Sequence, residues 1–205
     1  MYIIKKTGND INCINDKAWD FANVANIDKI NWPEFSHAPK TTAKLLYNDY
    51  GIYVQLETDE NPLLARYCKQ NDMVCCDSCM EFFFRPMEGD LRYFNLEINP
   101  NGQMYIGFGH SMKDLIRLAL QDEQGMLQKK WNYTEDGWEV FYTFPVSVIQ
   151  VFFPGYELKS GMKIYANSYK CGDECVIPHF ISWNKIELED PSFHQPEHFG
   201  LMILE

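Results

Sequence analysis

The sequence predicts an all-β fold, a β-sandwich with one or two short helices. Aromatic residues make up 15% of the chain, short segments alternate apolar and polar residues with period two, and turn signals separate those segments. No repeat, low-complexity segment or linker divides the 205 residues, so residues 1–205 read as one domain. That length supports a sizeable core.

Residues 16–25 form a short helix or turn capped by Asp16, with Trp19 and Val24 inward. Pro33 and Pro39 make residues 31–41 a loop. Strands at 42–46 and 52–58 flank the turn YNDYG. In the second, Ile52, Val54 and Leu56 alternate with Tyr53, Gln55 and Glu57. A loop over 59–72, with a helical turn around 63–68, leads into a strand over 74–84. Val74, Cys76, Ser78, Met80, Phe82 and Phe84 form one face of that strand, and Asp77 and Glu81 fall on the other.

Residues 93–99 place Phe94, Leu96 and Ile98 opposite Tyr93, Asn95, Glu97 and Asn99. The turn PNG then leads to a strand over 103–109. As an antiparallel meander, these strands set Glu81 opposite or diagonal to Asn95 and Glu97. Residues 111–124 show helical spacing at Leu115, Leu118 and Ala119. A hairpin around EDG joins 131–133 to 138–144, Pro145 ends it, and 146–151 form a short helix or turn. Residues 163–170 are a strand with Tyr165, Asn167 and Tyr169 on one face. The closing stretch 179–204 holds Trp183, Phe193, Phe199, His179, His194 and His198 around Pro191 and Pro196. It is too proline-rich for a helix and reads as an ordered loop returning into a last strand, 200–204. Such a loop either plugs a core edge or presents a binding face.

The net charge of −11 disfavours a nucleic-acid partner and an anionic membrane surface, and the oligomeric state stays open. The N-terminus has no apolar signal region and no run reaches membrane-spanning length, so the expected setting is cytoplasmic. Seven cysteines, two of them adjacent, read as reduced thiols rather than a disulfide framework.

Cys76, Cys79, Cys171 and Cys175 could hold zinc, but a strand over 74–84 would point Cys76 and Cys79 to opposite faces. Small buried apolar cysteines are the simpler reading. His179, His194 and His198 form a conceivable metal triad, yet Pro196 forbids the helix that His194 and His198 would need, and hydrogen-bonding loop histidines are favoured. Glu81 and Glu97 are candidates for an acid/base pair in glycoside hydrolysis, for a solvated strand face, or for sugar binding with Asn95 beside Tyr93. No nucleophile elbow, phosphate loop or dinucleotide fingerprint occurs.

In order along the chain stand DSCMEFFF, YFNLEINPNG, GWEVFYTFP, YANSYKCGDE, FISWNKI and PSFHQPEHFGLMIL. This set, from about residue 19 to 204, resembles the family 9 carbohydrate-binding modules. The resemblance implies one β-sandwich of two antiparallel sheets, of jelly-roll or immunoglobulin-like type. It also implies non-catalytic binding of a sugar, often at a glycan chain end, between aromatic rings, in modules that usually sit beside a hydrolase. Family members can carry structural calcium.

Carried over residue by residue, the resemblance implies a binding set of Glu81, Asn95, Glu97, Asn167 and Phe193 with His194. Phe193 stands where better-studied modules place a Trp, and Cys75 and Cys76 stand where they place a second stacking ring. Tyr67, Tyr169 and Trp183 are the candidates for that missing wall, with a core role favoured for Trp183. Two other readings compete: a glycoside-processing enzyme using Glu81 and Glu97, and a protein-interaction domain with no sugar ligand.

Overall fold

The computed structural model describes residues 1–205, and its fourteen strands hydrogen-bond into one curled, mixed sheet. The strands are β1 (Tyr2–Lys6), β2 (Val24–Ile27), β3 (Lys29–Ile30), β4 (Thr41–Tyr47), β5 (Gly51–Thr58), β6 (Cys79–Arg85) and β7 (Tyr93–Ile98). They continue as β8 (Met104–Gly109), β9 (Ile116–Arg117), β10 (Lys130–Tyr133), β11 (Trp138–Pro145), β12 (Lys163–Cys171), β13 (Phe180–Ser182) and β14 (Gly200–Leu204). Two short helices, α1 (Glu123–Leu127) and α2 (Val146–Phe152), interrupt them. No helix is long and apolar enough to cross a membrane.

The main path runs β10-β11-β5-β4-β1-β14-β12-β6-β7-β8-β9. Strand β1 joins its two antiparallel stretches. Its first half, Tyr2 to Ile4, pairs parallel with β14, and Lys5 and Lys6 pair parallel with Leu46 and Tyr47 of β4. The parallel pairings come from an N-terminal segment that shows no period-two pattern, and they make the sheet mixed rather than purely antiparallel.

Period-two alternation decides which side chains share a core. Met80, Phe82, Phe84, Phe94, Leu96 and Ile98 from one stretch meet Leu45, Val54, Leu56, Val140, Tyr142 and Phe144 from the other. Phe144 touches Phe84 and Phe94 at ring separations of 5.5 and 5.0 Å. Phe83, Tyr93 and Tyr169, on the reverse face of β6, β7 and β12, belong to a second core with Trp32, Phe193 and Phe199.

Three segments depart from the sequence reading. Residues 74–76 form a 3-10 turn, and the strand begins only at Cys79. The cause is Asp77, a fully buried carboxylate that accepts the backbone N–H groups of Arg66 and Tyr67 and the Asn99 side-chain amide. This folds the preceding loop onto the strand, and residues 63–68 hold no helical turn.

Residues 111–122 are not helical. The Asp114 carboxylate accepts the Ser111 N–H, Leu118 N–H goes to the Ile106 carbonyl, and β9 pairs with β8. A helix forms only after Asp122, whose side chain caps α1. The turn capped by Asp16 is a 3-10 helix, Lys17–Phe21, that buries Trp19, but Val24 is exposed on β2.

Phe144 reaches across the main core to two rings of the opposite stretch. Phe144→Ala is expected to cost about 3–5 kcal/mol, the usual range for a buried Phe truncation. The shift in the urea unfolding midpoint, at unchanged slope, checks this.

Candidate functional site

Strand registers build the site. Glu81 of β6 stands directly opposite Glu97 of β7 and Tyr169 of β12, and Phe83 stands opposite Asn95. All project to the same side, away from the main core. Over them lies the 183–199 loop, tied down at several points. Trp32 Nε1 donates to the Leu188 carbonyl at 3.1 Å, the Tyr169 hydroxyl to the Phe193 carbonyl at 3.1 Å, and Arg85 Nη1 to the Pro196 carbonyl at 3.1 Å. The loop thus both plugs an outer core and borders a cavity of about 340 Å³.

Glu81, Glu97, Phe193 and His194 line this cavity together. Glu81 and Glu97 are only 2% and 6% exposed, so the polar face of the meander is not solvated. Phe193 stacks on Tyr169 with centroids 4.1 Å apart and planes 10° apart. His194 lies against the Phe83 ring, with Nδ1 2.8 Å from the Tyr93 hydroxyl. Tyr93 is itself fully buried and offers no platform to a ligand.

Asn95 lies beneath the cavity. It is fully buried, and its Nδ2 donates to Glu97 Oε1 at 2.6 Å. Glycine at position 107 is required for this pose, because a Cβ there would lie 2.0 Å from Asn95 Oδ1. Asn167 is not brought to the cavity. Its amide donates to the Asn184 carbonyl and accepts the N–H groups of Ser168 and Asn184, fastening the start of the covering loop. Trp183 packs edge-on against Tyr2 beside the main core, Tyr169 is buried beneath Phe193, and Tyr67 packs against the outer core away from the cavity lining.

Cys75, Cys171, Asp173 and Phe180 also line the cavity, with Met73 and Met112 at its exposed rim. Residues 172–175 turn the chain after Cys171, and Cys171 and Cys175 are both buried. Cys171 reaches the site because β12 pairs with β6 across more than eighty residues of chain, and no local sequence pattern encodes that pairing.

Burial raises the proton affinity of the two floor glutamates and, more weakly, of Asp173 at the rim. Desolvation, reinforced by the facing Glu97 carboxylate, pushes Glu81 well above the usual carboxylate range. Desolvation lifts Glu97 to about 8 against the Asn95 hydrogen bond, and lifts Asp173, with help from Glu174, to about 6. Near neutral pH Glu81 and Glu97 therefore stand as carboxylic acids that donate as well as accept hydrogen bonds.

Two clusters reach metal-ligand spacing: Cys79, Glu81 and Cys171, and Cys75, Cys76 and Asp173. Both are rich in sulfur, and calcium takes oxygen ligands, so neither suits a structural calcium ion. The set Cys76, Cys79, Cys171 and Cys175 does not converge; only Cys79 and Cys171 meet. His179 is held by Lys170 and the Ile177 carbonyl, His194 faces Tyr93, and His198 ends a 3-10 turn, so the histidines share no ion.

The family model described as carbohydrate-binding family 9 matches residues 14–204. A crystal structure of a candidate carbohydrate-binding protein from Bacteroides uniformis superposes with a TM-score of 0.87 at 28% identity, covering 99% of this chain and 98% of that one. A family 9 carbohydrate-binding module from Caldicellulosiruptor kristjanssonii, in complex with glucose, gives 0.69 at 13% identity, covering 99% and 95%. Its cellotriose complex gives 0.68 at 14% identity, covering 100% and 93%. No curated protein matches the sequence.

Stability should reflect the buried acids. Glu97 holds its proton in the folded state up to about pH 8 but loses it near its ordinary value of 4.5 when unfolded. Its contribution therefore falls as pH rises between those values. Below about pH 6.5 this trend is opposed by His179 and His194, which burial lowers to about 4. Between pH 6.5 and 8 the histidines no longer contribute, so the urea midpoint is expected to fall with pH, and more shallowly in Glu97→Gln.

Proposed function

The chain belongs to carbohydrate-binding family 9, and from that membership we propose that the cavity floored by Glu81 and Glu97 is where it holds a sugar without altering it. The curled sheet, with both stretches facing one core, is read here as a β-sandwich. The observation that carries the assignment is the convergence of two buried acids, an aromatic side chain and an imidazole on a cavity large enough for a small ligand.

Within this reading each group has a distinct task. Phe193 offers apolar surface to the C–H face of a sugar ring. One of its faces is already taken by Tyr169, and Phe180 meets it at 69°, so the stacking is one-sided rather than a parallel sandwich. Glu81 and Glu97 exchange hydrogen bonds with hydroxyls, and Asn95 acts as a positioning residue that orients Glu97. Met73 and Met112 give the rim an adaptable apolar border. Asn167 acts at a distance, by holding the loop that carries Phe193.

A non-catalytic role is favoured over hydrolysis by the placement of the two acids. They are direct cross-strand neighbours that project side by side from one floor. Hydrolytic carboxyl pairs instead flank the scissile bond.

Isothermal titration against monosaccharides and β-linked oligosaccharides, glucose and cellotriose included, tests the assignment. Saturable heat is expected, with no sugar product released. Phe193→Ala, confirmed folded by circular dichroism, is expected to weaken binding at least tenfold, about 1.4 kcal/mol. Silence of the folded wild type across the panel would refute the site and favour a protein-interaction domain.

A further inference from the structure

Sugar recognition leaves two buried thiols without a task, Cys171 at the cavity floor and Cys79 behind it, because a thiol is a poor hydrogen-bond partner for a hydroxyl. Cys79 and Cys171 are directly opposite each other on β6 and β12. Glu81 lies two residues along β6 from Cys79, on the same side of the strand. Two sulfur donors and one carboxylate oxygen thereby come within 4.8 Å of one another. The Cys171 thiol already donates to Glu81 Oε1 at 3.0 Å. All three side chains are buried, Cys79 at 0%, Cys171 at 1% and Glu81 at 2% exposure.

We propose that Cys79, Glu81 and Cys171 form a binding site for a thiophilic divalent cation, zinc in particular. Tetrahedral zinc, with bonds of about 2.3 Å to sulfur and about 2.0–2.2 Å to oxygen, sets its ligands roughly 3.5–3.8 Å apart. Small rotamer adjustments bring the three donors to that spacing. Glu81 and Cys171 also line the cavity, so an ion there is reached from solvent and turns its fourth coordination position toward the bound molecule. Three protein ligands with one open position is the arrangement of a zinc site that accepts an exogenous oxygen. The donor chemistry selects against calcium and magnesium, which take oxygen ligands. On binding, the ion displaces the two thiol protons and the Glu81 proton to solvent, and no oxidation is involved.

This inference goes beyond the sugar site and shares only Glu81 with it, so either can fail alone. The test uses the full chain, stripped of metal and kept reduced with a phosphine that does not bind metal. It is titrated with Co²⁺ and then Zn²⁺, without sugar, and followed by absorption. One equivalent of Co²⁺ should give a near-ultraviolet thiolate-to-cobalt band and the intense visible bands of a four-coordinate ion, both erased by Zn²⁺. The bands should vanish in Cys79→Ser and Cys171→Ser, weaken at least tenfold in affinity in Glu81→Gln, and persist in Cys75→Ser and Cys13→Ser.

X-ray absorption of the zinc-loaded wild type needs no variant and should count two sulfur ligands. Absence of the thiolate band in the wild type, its survival in folded Cys171→Ser, or its loss in Cys75→Ser would overturn the assignment. The last result would place the ion in the rim cluster of Cys75, Cys76 and Asp173. Sugar heat in a protein that binds no Co²⁺ would leave the sugar site standing and remove this one.

Discussion

The site depends on one constraint: the sheet formed by β6, β7 and β12 is covered on both faces. On one face lies the main core with Phe82, Phe84 and Leu96. On the other, Trp32, Phe83, Tyr169 and Phe193 make a second, smaller core beneath the 183–199 loop. Polar groups on that second face are largely shielded from water, which favours partners within the protein. Glu97 receives the Asn95 amide, Glu81 receives the Cys171 thiol, and Tyr93 meets His194. The raised proton affinity of the two glutamates follows from the same burial. A chemically unusual floor is thus a consequence of how the fold covers a sheet face.

The local half of this arrangement can be read in the sequence. Alternation alone puts Glu81 on the face opposite Met80, Phe82 and Phe84, and a meander alone makes Glu97 its neighbour. Burial of that face is harder to read, because exposed and covered polar faces alternate in the same way. The cover is built from segments distant in sequence: Trp32 from the first forty residues and Phe193 from the last fifteen. The pairing of Cys171 with Cys79 and the double pairing of β1 are also non-local, and no periodicity encodes them. Misread helices have a different origin. Over residues 111–122 the apolar spacing suits a helix, but Asp114 captures the Ser111 N–H and an edge strand claims the rest of the backbone.

Strand β12 is polar on both sides at the site, which is uncommon for a central strand. Cys171 faces the cavity. Lys170, one residue earlier, points the other way and is completely buried, with its ammonium 2.7 Å from a Glu60 carboxylate oxygen and 2.9 Å from His179 Nε2. The same ammonium donates to the Cys171 carbonyl at 2.7 Å. The imidazole, kept neutral by burial and by the adjacent ammonium, is free to accept at Nε2 while Nδ1 bonds the Ile177 carbonyl. Such a buried ionic group adds little net stability. It does restrict where the end of β12 and the start of β13 can lie, and so where the Cys171 side chain is presented.

Phe193 shows the balance between rigidity and contact area. Stacked on Tyr169, tilted against Trp32, and with its carbonyl held by the Tyr169 hydroxyl, it has little freedom left to lose when a ligand arrives. Preorganisation of this kind lowers the entropic cost of binding. The same packing hides one ring face and leaves the side chain only 8% exposed. A ligand therefore gains apolar contact on one side and must draw the rest of its binding energy from the floor, where Glu81 and Glu97 are already fixed in place. Selectivity in this cavity then resides in the hydrogen-bonding pattern of the acids more than in aromatic surface.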